Sequence, residues 1–161
     1  MPSIAQIASE KKNENDDFCA YLKTLDGKEI DAIVLQLNEN ISAQIDCTKC
    51  GNCCKTLMIN ITDEEADKIA VHLNQTRKIF AEQYVEKGNN GMMIMNKMPC
   101  HFLVENKCTV YENRFRGCSE FPAMHLPNFI ERLFTTFMHY DRCPIIFNVV
   151  EKLKIKLKFK A

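Results

Sequence analysis

The sequence lacks the features that mark several common classes of protein. It has no internal repeat, no low-complexity block and no linker rich in proline, glycine or serine. Its 161 residues suit one domain. It has no excess of either charge, because Lys+Arg and Asp+Glu both number 21. A general nucleic-acid binder needs surplus positive charge to contact phosphates, so the composition argues against that class.

Long apolar runs are also missing. Residues 1–20 contain no hydrophobic stretch of signal-peptide length, and charged and amide side chains occupy positions 10–17. No segment approaches the roughly 20 apolar residues that cross a bilayer. We therefore expect a cytoplasmic protein with no membrane or nucleic-acid partner.

Familiar catalytic motifs are absent from the sequence. There is no phosphate-binding glycine loop, no GxSxG elbow and no HExxH pair. A nucleophile and base could be drawn from Cys54 and His101, but nothing in the sequence favours that pair over metal binding. The residues alone therefore identify no reaction; they leave enzymatic activity open and favour a protein that is not an enzyme.

Cysteine is abundant, with nine residues. In a reducing compartment, clustered cysteines usually serve metal or redox chemistry rather than disulfides. The segment Cys47–Cys54 reads CTKCGNCC. Cysteines three apart place two thiolates on one side of a tight turn, and Gly51 permits the left-handed backbone of such a knuckle. The predicted metal ligands are Cys47, Cys50, Cys53, Cys54, Cys100, Cys108, Cys118 and Cys143.

The identity of the metal stays open at this point. Eight thiolates can build two four-cysteine zinc sites, or one 4Fe-4S site with four cysteines left over. Zinc ribbons carry two CxxC knuckles and this chain has one, which favours iron. Adjacent Cys53 and Cys54 are expected to diverge and not to bind one ion together, so one of them would serve a second site, be a spare ligand or take part in chemistry. Cys19 is expected to be a free structural thiol, and the histidines at 72, 101, 125 and 139 are not expected to be direct ligands.

The predicted fold class is mainly α with a small β-hairpin, an α+β domain stapled by metal. Residues 1–46 are predicted to be a helical segment and residues 47–161 the cysteine-cluster domain, together forming one compact unit. Gly27 is expected to separate a helix around Asp17–Leu25 from one that buries Ile30 to Ile45. The other predicted elements are helices from Thr62, over 76–87, near 114–118 and from Pro144, a strand at Met92–Met95, and a hairpin of Cys100–Leu103 with Cys108–Tyr111.

These cysteine motifs resemble those of the YkgJ-type cysteine-cluster family. The resemblance rests on CTKCGNCC, Pro99–Leu103, Cys108–Tyr111, Arg114–Pro122 and Cys143-Pro144. It runs from Cys47 to the C-terminus, about two-thirds of the chain. The name of that family proposes zinc or iron chelation through a CxxCxxCC signature, so the resemblance implies metal binding and leaves the metal open. Phe115 and His101 stand where that family usually or often has proline.

Three functional hypotheses follow. The first is a metal-binding module that holds zinc or iron, the latter as an ion or an iron–sulfur cluster. The second is an iron–sulfur enzyme acting on a protein substrate, because a related cysteine motif occurs in flagellin lysine N-methylase. The third is a zinc-stapled adaptor. The expected partners are a metal ion and, for the last two hypotheses, another protein.

Overall fold

Helices dominate the computed structural model, which describes residues 3–88 and 91–160. It is 58% helical and has small antiparallel sheets, which confirms the predicted mainly helical α+β class. The described residues group into two units by their contacts. The helical unit comprises the residues up to Asp46 and those from Pro122 onward, and the cysteine unit is Cys47–Phe121. The predicted division of the chain at Cys47 into two domain segments stays a prediction.

The helical unit begins with three helices whose starts are set by side-chain caps. They are α1 (Ile4–Glu10), α2 (Lys12–Leu22) and α3 (Gly27–Ser42). The hydroxyl of Ser3 accepts from the Gln6 N–H at 3.2 Å, and the Gln6 side chain accepts from the Ser3 N–H at 2.8 Å. The Asp26 carboxylate caps α3 by accepting from two backbone N–H groups of its first turn.

Sequence reasoning placed these N-terminal helices imperfectly. Helix α1 was not predicted, and α2 begins at Lys12 rather than near Asp17. Gly27 does not separate two helices but is the first residue of α3, because Asp26 caps the helix directly before it. The predicted apolar face is confirmed within α3, since Ile30, Val34 and Ile41 are buried, but the helix ends at Ser42 and Ile45 lies outside it.

The elements of the cysteine unit are short. The helices are α4 (Cys47–Cys50), α5 (Asn52–Thr56), α6 (Asp63–His72), α7 (Arg77–Tyr84) and α8 (Arg116–Glu120). The strands are β1 (Asn60–Ile61), β2 (Val85–Lys87), β3 (Met93–Met95), β4 (Leu103–Val104) and β5 (Lys107–Cys108). Among the described residues, β1, β3 and β2 form one antiparallel sheet in that order, and β4 pairs with β5 in another. A 3-10 turn covers Tyr111–Asn113.

One prediction in this unit is corrected and two are confirmed. The helix expected over 76–87 ends at Tyr84, because β-branched Val85 enters strand β2 and pairs with Met95. The strand predicted at Met92–Met95 is confirmed as β3, and the capping box at Thr62 is confirmed at the start of α6.

The apolar core of the cysteine unit is in contact with cysteine side chains. Three cysteines, Cys100, Cys108 and Cys118, pack against it. The buried core residues are Ile61, Ala66, Ile69, Ala70, Phe80, Met93, Met95, Phe102, Val110 and Phe115. The core therefore fixes the backbone near each of these three thiols.

The helical unit is completed by the C-terminal segment. After a 3-10 turn at Ile130–Arg132 come α9 (Leu133–Met138) and α10 (Pro144–Lys156). Cys143 is the N-cap of α10 and Pro144 its first residue, as the Cys-Pro pair predicted. Helix α10 packs against α3 and contributes Val149, Val150 and Leu153 to the core. None of the helices in the described ranges is long and apolar enough to cross a membrane.

A buried lysine is the main polar feature of the helical unit. Lys154 is 5% exposed, and its Nζ lies 2.7 Å from Glu14 Oε1, 2.6 Å from Asn15 Oδ1 and 2.8 Å from Glu151 Oε1. The Tyr140 hydroxyl donates to the same Glu151 oxygen at 2.8 Å. Hydrogen bonding to Lys154 lowers the pKa of Glu14, so this network is stabilised in its ionised form.

Candidate metal centre

The segment Cys47–Cys54 folds into two short helical turns joined at Gly51. Cys47 and Cys50 lie one turn apart in α4, and the Gly51 N–H donates to the Cys47 carbonyl at 3.0 Å. Gly51 has φ +61°, the left-handed conformation predicted for the knuckle. A Cβ at this buried position would lie 3.2 Å from Asn106 Oδ1. Glycine is therefore required both by the backbone angle and by the neighbouring side chain.

The later cysteines reach this segment through backbone contacts. The Cys100 N–H donates to the Cys54 carbonyl at 2.8 Å, which holds the loop before β4 against α5. Strand β5, which ends at Cys108, contacts α4. The predicted hairpin forms, but its paired strands are only Leu103–Val104 and Lys107–Cys108. Cys100 lies in the loop three residues before the first paired residue.

The thiols are close enough to influence one another electrostatically. Burial, followed by the charges of Cys100, Cys53 and Cys108, raises the pKa of Cys118 to about 12. Burial also raises the pKa of Cys100, with smaller contributions from Cys108 and Cys53. A hydrogen bond from Cys53 lowers the pKa of Cys54, against burial and the repulsion of Cys100, Cys108 and Cys118. These cysteines of α5, the Cys100 loop, β5 and α8 thus form one electrostatic cluster.

The adjacent cysteines do not diverge as expected from sequence. The Cys53 and Cys54 sulfur atoms lie 3.9 Å apart. Two thiolates on one tetrahedral metal, each about 2.3 Å from the ion, are separated by about 3.8 Å. The expectation that neighbouring side chains point away from each other is wrong here, because both residues lie in the first turn of α5 with their sulfurs turned together.

Basic side chains lie near this cluster. The charge of Arg114 lowers the pKa of Cys118, although less than burial raises it. The Arg114 guanidinium stacks over the Tyr111 ring at 3.9 Å, which fixes its place. Lys55 Nζ approaches the Cys50 carbonyl at 3.4 Å, and Arg116 pairs with Glu120 at 2.6 Å. Of these cations, Arg114 is the one with a direct effect on a cluster thiol.

The histidines have other contacts in the structure. His101 Nε2 lies 2.7 Å from Asn96 Oδ1, and its ring meets Tyr84 edge-on at 5.0 Å. His72 Nδ1 lies 3.1 Å from the Asn113 side chain. His125 and His139 belong to the helical unit. The prediction that histidines are not direct ligands stays a prediction, and the contact of His101 with Asn96 agrees with it.

The predicted ligands divide between the two units. Seven of the eight lie in the cysteine unit, and Cys143 lies in the helical unit, where it is buried at the start of α10. Cys47 is exposed, and the other cysteines of the cysteine unit are half-buried. Within residues 3–88 and 91–160, no three Cys, His, Asp or Glu side chains are already grouped as a coordination shell. The ligand set of eight cysteines stays a prediction.

The donor set fits zinc or iron chemically. Both metals bind thiolates, and zinc structural sites and iron–sulfur clusters each take four cysteines. Burial and mutual repulsion disfavour several negative thiolates in this cluster when no cation accompanies them. A bound cation would reverse that effect, so the cluster is suited to hold a metal ion.

Two residues that support this arrangement were missed by sequence reasoning. Asn106 lies at φ +63° in the β4–β5 turn, and its side chain rests on Gly51. The preceding Glu105 is also left-handed, at φ +49°. Asn is the residue type that best tolerates this angle after glycine, so an Asn between two short strands was a readable turn signal. Glu65 was predicted only to cap α6, and the hydrogen bond that its carboxylate accepts from the Arg116 N–H was not foreseen.

One protein-family model matches the segment of the chain that contains these cysteines. Residues 46–144 match the model described as "CxxCxxCC: Putative zinc- or iron-chelating domain". The match covers more than half of the 161 residues. The chain belongs to the CxxCxxCC family. No curated protein and no solved structure matches the sequence.

Membership of the CxxCxxCC family agrees with the chemistry of the site. The family description supports metal binding in general and names zinc and iron as the metals. The matched segment includes both the cysteine unit and Cys143-Pro144. It thus spans all eight cysteines of the predicted ligand set.

Proposed function

We propose that the protein chelates zinc or iron through thiolates of the cysteine unit. The observation that carries the proposal is the 3.9 Å contact between the Cys53 and Cys54 sulfurs. Cys100 is held to Cys54 by a 2.8 Å backbone hydrogen bond, and it packs against the same core as Cys108 and Cys118. Helix α4, which carries Cys47 and Cys50, contacts strand β5, which ends at Cys108. Cys143, the eighth cysteine of the set predicted from sequence, is the N-cap of α10 in the helical unit.

The spacing of the adjacent pair favours a mononuclear centre over an iron–sulfur cluster. The 3.9 Å between the Cys53 and Cys54 sulfurs suits two thiolates on one tetrahedral ion. In a 4Fe-4S cluster the four cysteines are shared among four iron atoms. The spacing therefore supports one zinc or iron ion held by a tetrahedral thiolate set.

Metal binding would be coupled to local ordering of the cysteine unit. Because the described side chains are gathered but not preformed as a coordination shell, binding must draw them together. The metal would then serve as a staple for a unit built from short helices and strands. We further propose a reducing, cytoplasmic setting, since ligand thiols must stay unoxidised, and a protein partner as the recipient or target of the metal-stapled unit.

Elemental analysis and an ultraviolet–visible spectrum of anaerobically purified protein test this function. We expect about one zinc or iron ion per chain, bound by thiolates. Cys50→Ser should lower the metal content strongly. Cys19→Ser is the matched control, because Cys19 lies in α2 of the helical unit and burial raises its pKa to about 11.

Three outcomes of this experiment bear on the proposal. Equal metal loss in Cys50→Ser and Cys19→Ser would contradict the ligand assignment. Brown protein with iron and acid-labile sulfide would contradict the mononuclear centre and show an iron–sulfur cluster instead. Protein without zinc or iron after purification and anaerobic reconstitution would overturn the function.

A further inference from the structure

The carboxylate of Glu65 bonds to two structural elements at once. Its Oε2 accepts from the Thr62 N–H at 2.8 Å and completes the capping box of α6. Its Oε1 accepts from the Arg116 N–H at 2.6 Å. Arg116 lies 51 residues further along the chain and is the first residue of α8. One side chain therefore caps its own helix and holds the start of another.

Helix α8 depends on such external anchors. It has five residues, too few to be stable in isolation. Its N-cap is Phe115, which provides no side-chain hydrogen bond to the free N–H groups of the first turn. Glu65 supplies the missing acceptor from α6. Phe115 gives the second anchor, because its ring is 3% exposed and lies in the core.

The position of Cys118 follows from these anchors. The Cys118 N–H donates to the Phe115 carbonyl at 2.9 Å, and Cys118 is two residues beyond Arg116. Moving the first turn of α8 would therefore move the Cys118 sulfur relative to Cys53, Cys100 and Cys108, with which it interacts.

Helix α6, which carries Glu65, is held in place by core packing and by ion pairs. Ala66, Ile69 and Ala70 are buried in the core of the cysteine unit. The Arg77 side chain also joins α7 to α6, with contacts of 3.0 Å to Asp63 and 3.1 Å to Asp67. The Glu65 carboxylate thus holds the start of the short helix α8 against the well-packed helix α6.

We propose that Glu65 is a positioning residue for Cys118, holding α8 so that this thiolate stays on the metal and the metal is released slowly. The inference rests on the proposed function, in which Cys118 is a ligand. Groups that orient metal ligands typically contribute 10- to 100-fold in metal affinity.

Two substitutions separate positioning from helix capping. Thr62→Ala removes the hydroxyl that accepts from the Glu65 N–H at 3.2 Å, but it leaves both Glu65 oxygen contacts possible. Glu65→Ala removes both contacts. Glu65→Gln keeps one carbonyl oxygen and loses the charge. Gln6→Ala breaks the other capping box, in the helical unit, and controls for general loss of stability.

The experiment uses the full-length, metal-loaded protein and its variants. Two quantities are measured: the rate of metal transfer to an excess of a colorimetric chelator, and hydrogen exchange of the peptide covering residues 114–120. We expect Glu65→Ala to speed metal release about 10- to 100-fold and to speed exchange in that peptide. Thr62→Ala and Gln6→Ala should lower the melting temperature but keep both quantities near the wild-type values.

The outcomes distinguish this inference from the function on which it rests. Metal-loaded Glu65→Ala that releases metal no faster than Thr62→Ala overturns the positioning role alone. If Glu65→Ala does not fold, Arg116→Pro takes its place, because it removes the N–H that donates to Glu65 at the first position of α8, where proline is tolerated. Release no faster than from Thr62→Ala again overturns the role. Wild-type protein that holds neither zinc nor iron overturns the proposed function and this inference with it.

Discussion

The helical unit and the cysteine unit both bury polar side chains, but they satisfy them by different means. In the helical unit, Lys154 contacts Glu14, Asn15 and Glu151 at 2.6–2.8 Å, so the buried charge is balanced by side chains of the same unit. In the cysteine unit, Cys100, Cys108 and Cys118 pack against the apolar core, and burial together with the charges of neighbouring thiols raises the pKa of Cys100 and Cys118.

The difference indicates which unit needs a bound cation to balance its charge. Lys154 and Lys11 both pair with Glu14 and Glu151, so two positive and two negative charges balance in this network. A set of thiolates carries only negative charge and requires cations to offset it. Arg114 supplies part of that charge near Cys118, and the proposed metal supplies the rest. The helical unit should therefore keep its structure without metal, whereas the cysteine unit should not.

Metal removal is expected to have the largest effect. Structural zinc sites contribute apparent binding free energies of about 10–16 kcal/mol in small domains, and that energy is folding energy. After chelation we expect hydrogen exchange to quicken at the amides of Cys100, Thr109 and Cys118, which are bonded within the cysteine unit. Amides of α3 and α10 serve as the internal control and should change little. Equal acceleration in both units would contradict the comparison.

Loss of the buried lysine charge should have the next largest effect. Lys154→Met removes the buried cation between Glu14 and Glu151 and leaves Lys11, at 3.3 and 2.6 Å, as their remaining partner. We expect a loss of about 3 kcal/mol in the free energy of unfolding. Lys152→Met is the matched control on the same helix, since Lys152 is exposed, and it should change stability by less than about 0.5 kcal/mol. Urea unfolding measures both. Metal content should stay unchanged in each variant, and a loss below about 1 kcal/mol would show that the network is dispensable.

The smallest predicted effect compares two glycines, one in each unit. Gly51→Ala places a Cβ at φ +61° and 3.2 Å from Asn106 Oδ1, so it should destabilise the metal-loaded protein by about 1–2 kcal/mol. Gly27→Ala is a helical position with nothing within 4 Å of the added carbon, and it should stabilise by about 0.4–1 kcal/mol. Urea unfolding should give opposite signs. The same sign for both would undermine the account of the knuckle.

Local signals in the sequence predicted much of the fold. The capping box at Thr62, the apolar spacing of α3 and the Cys-Pro start of α10 each act through contacts within a few residues, so they are readable from the chain alone. Helix α1 was missed although Ser3 and Gln6 form a capping box, because its seven residues include none that is buried. The end of α7 at Tyr84 depends on the pairing of Val85 with Met95, which is not a local signal.

The candidate site was only partly readable for the same reason. The spacing of Cys47, Cys50 and Cys53 identifies a knuckle, and Gly51 predicts its backbone angle. Which thiols approach one another depends on contacts between distant segments, such as Cys100 with Cys54 and Arg116 with Glu65. The 3.9 Å spacing of the Cys53 and Cys54 sulfurs depends on side-chain directions in α5 that the sequence does not specify.

X-ray absorption at the zinc or iron edge of the purified protein tests the central claim most directly, because it reports the atoms bound to the metal. The account predicts a first shell of sulfur at about 2.3 Å around a single ion, reduced when cysteines of the cysteine unit are replaced by serine. A first shell of only nitrogen and oxygen atoms at about 2.0–2.2 Å would contradict it.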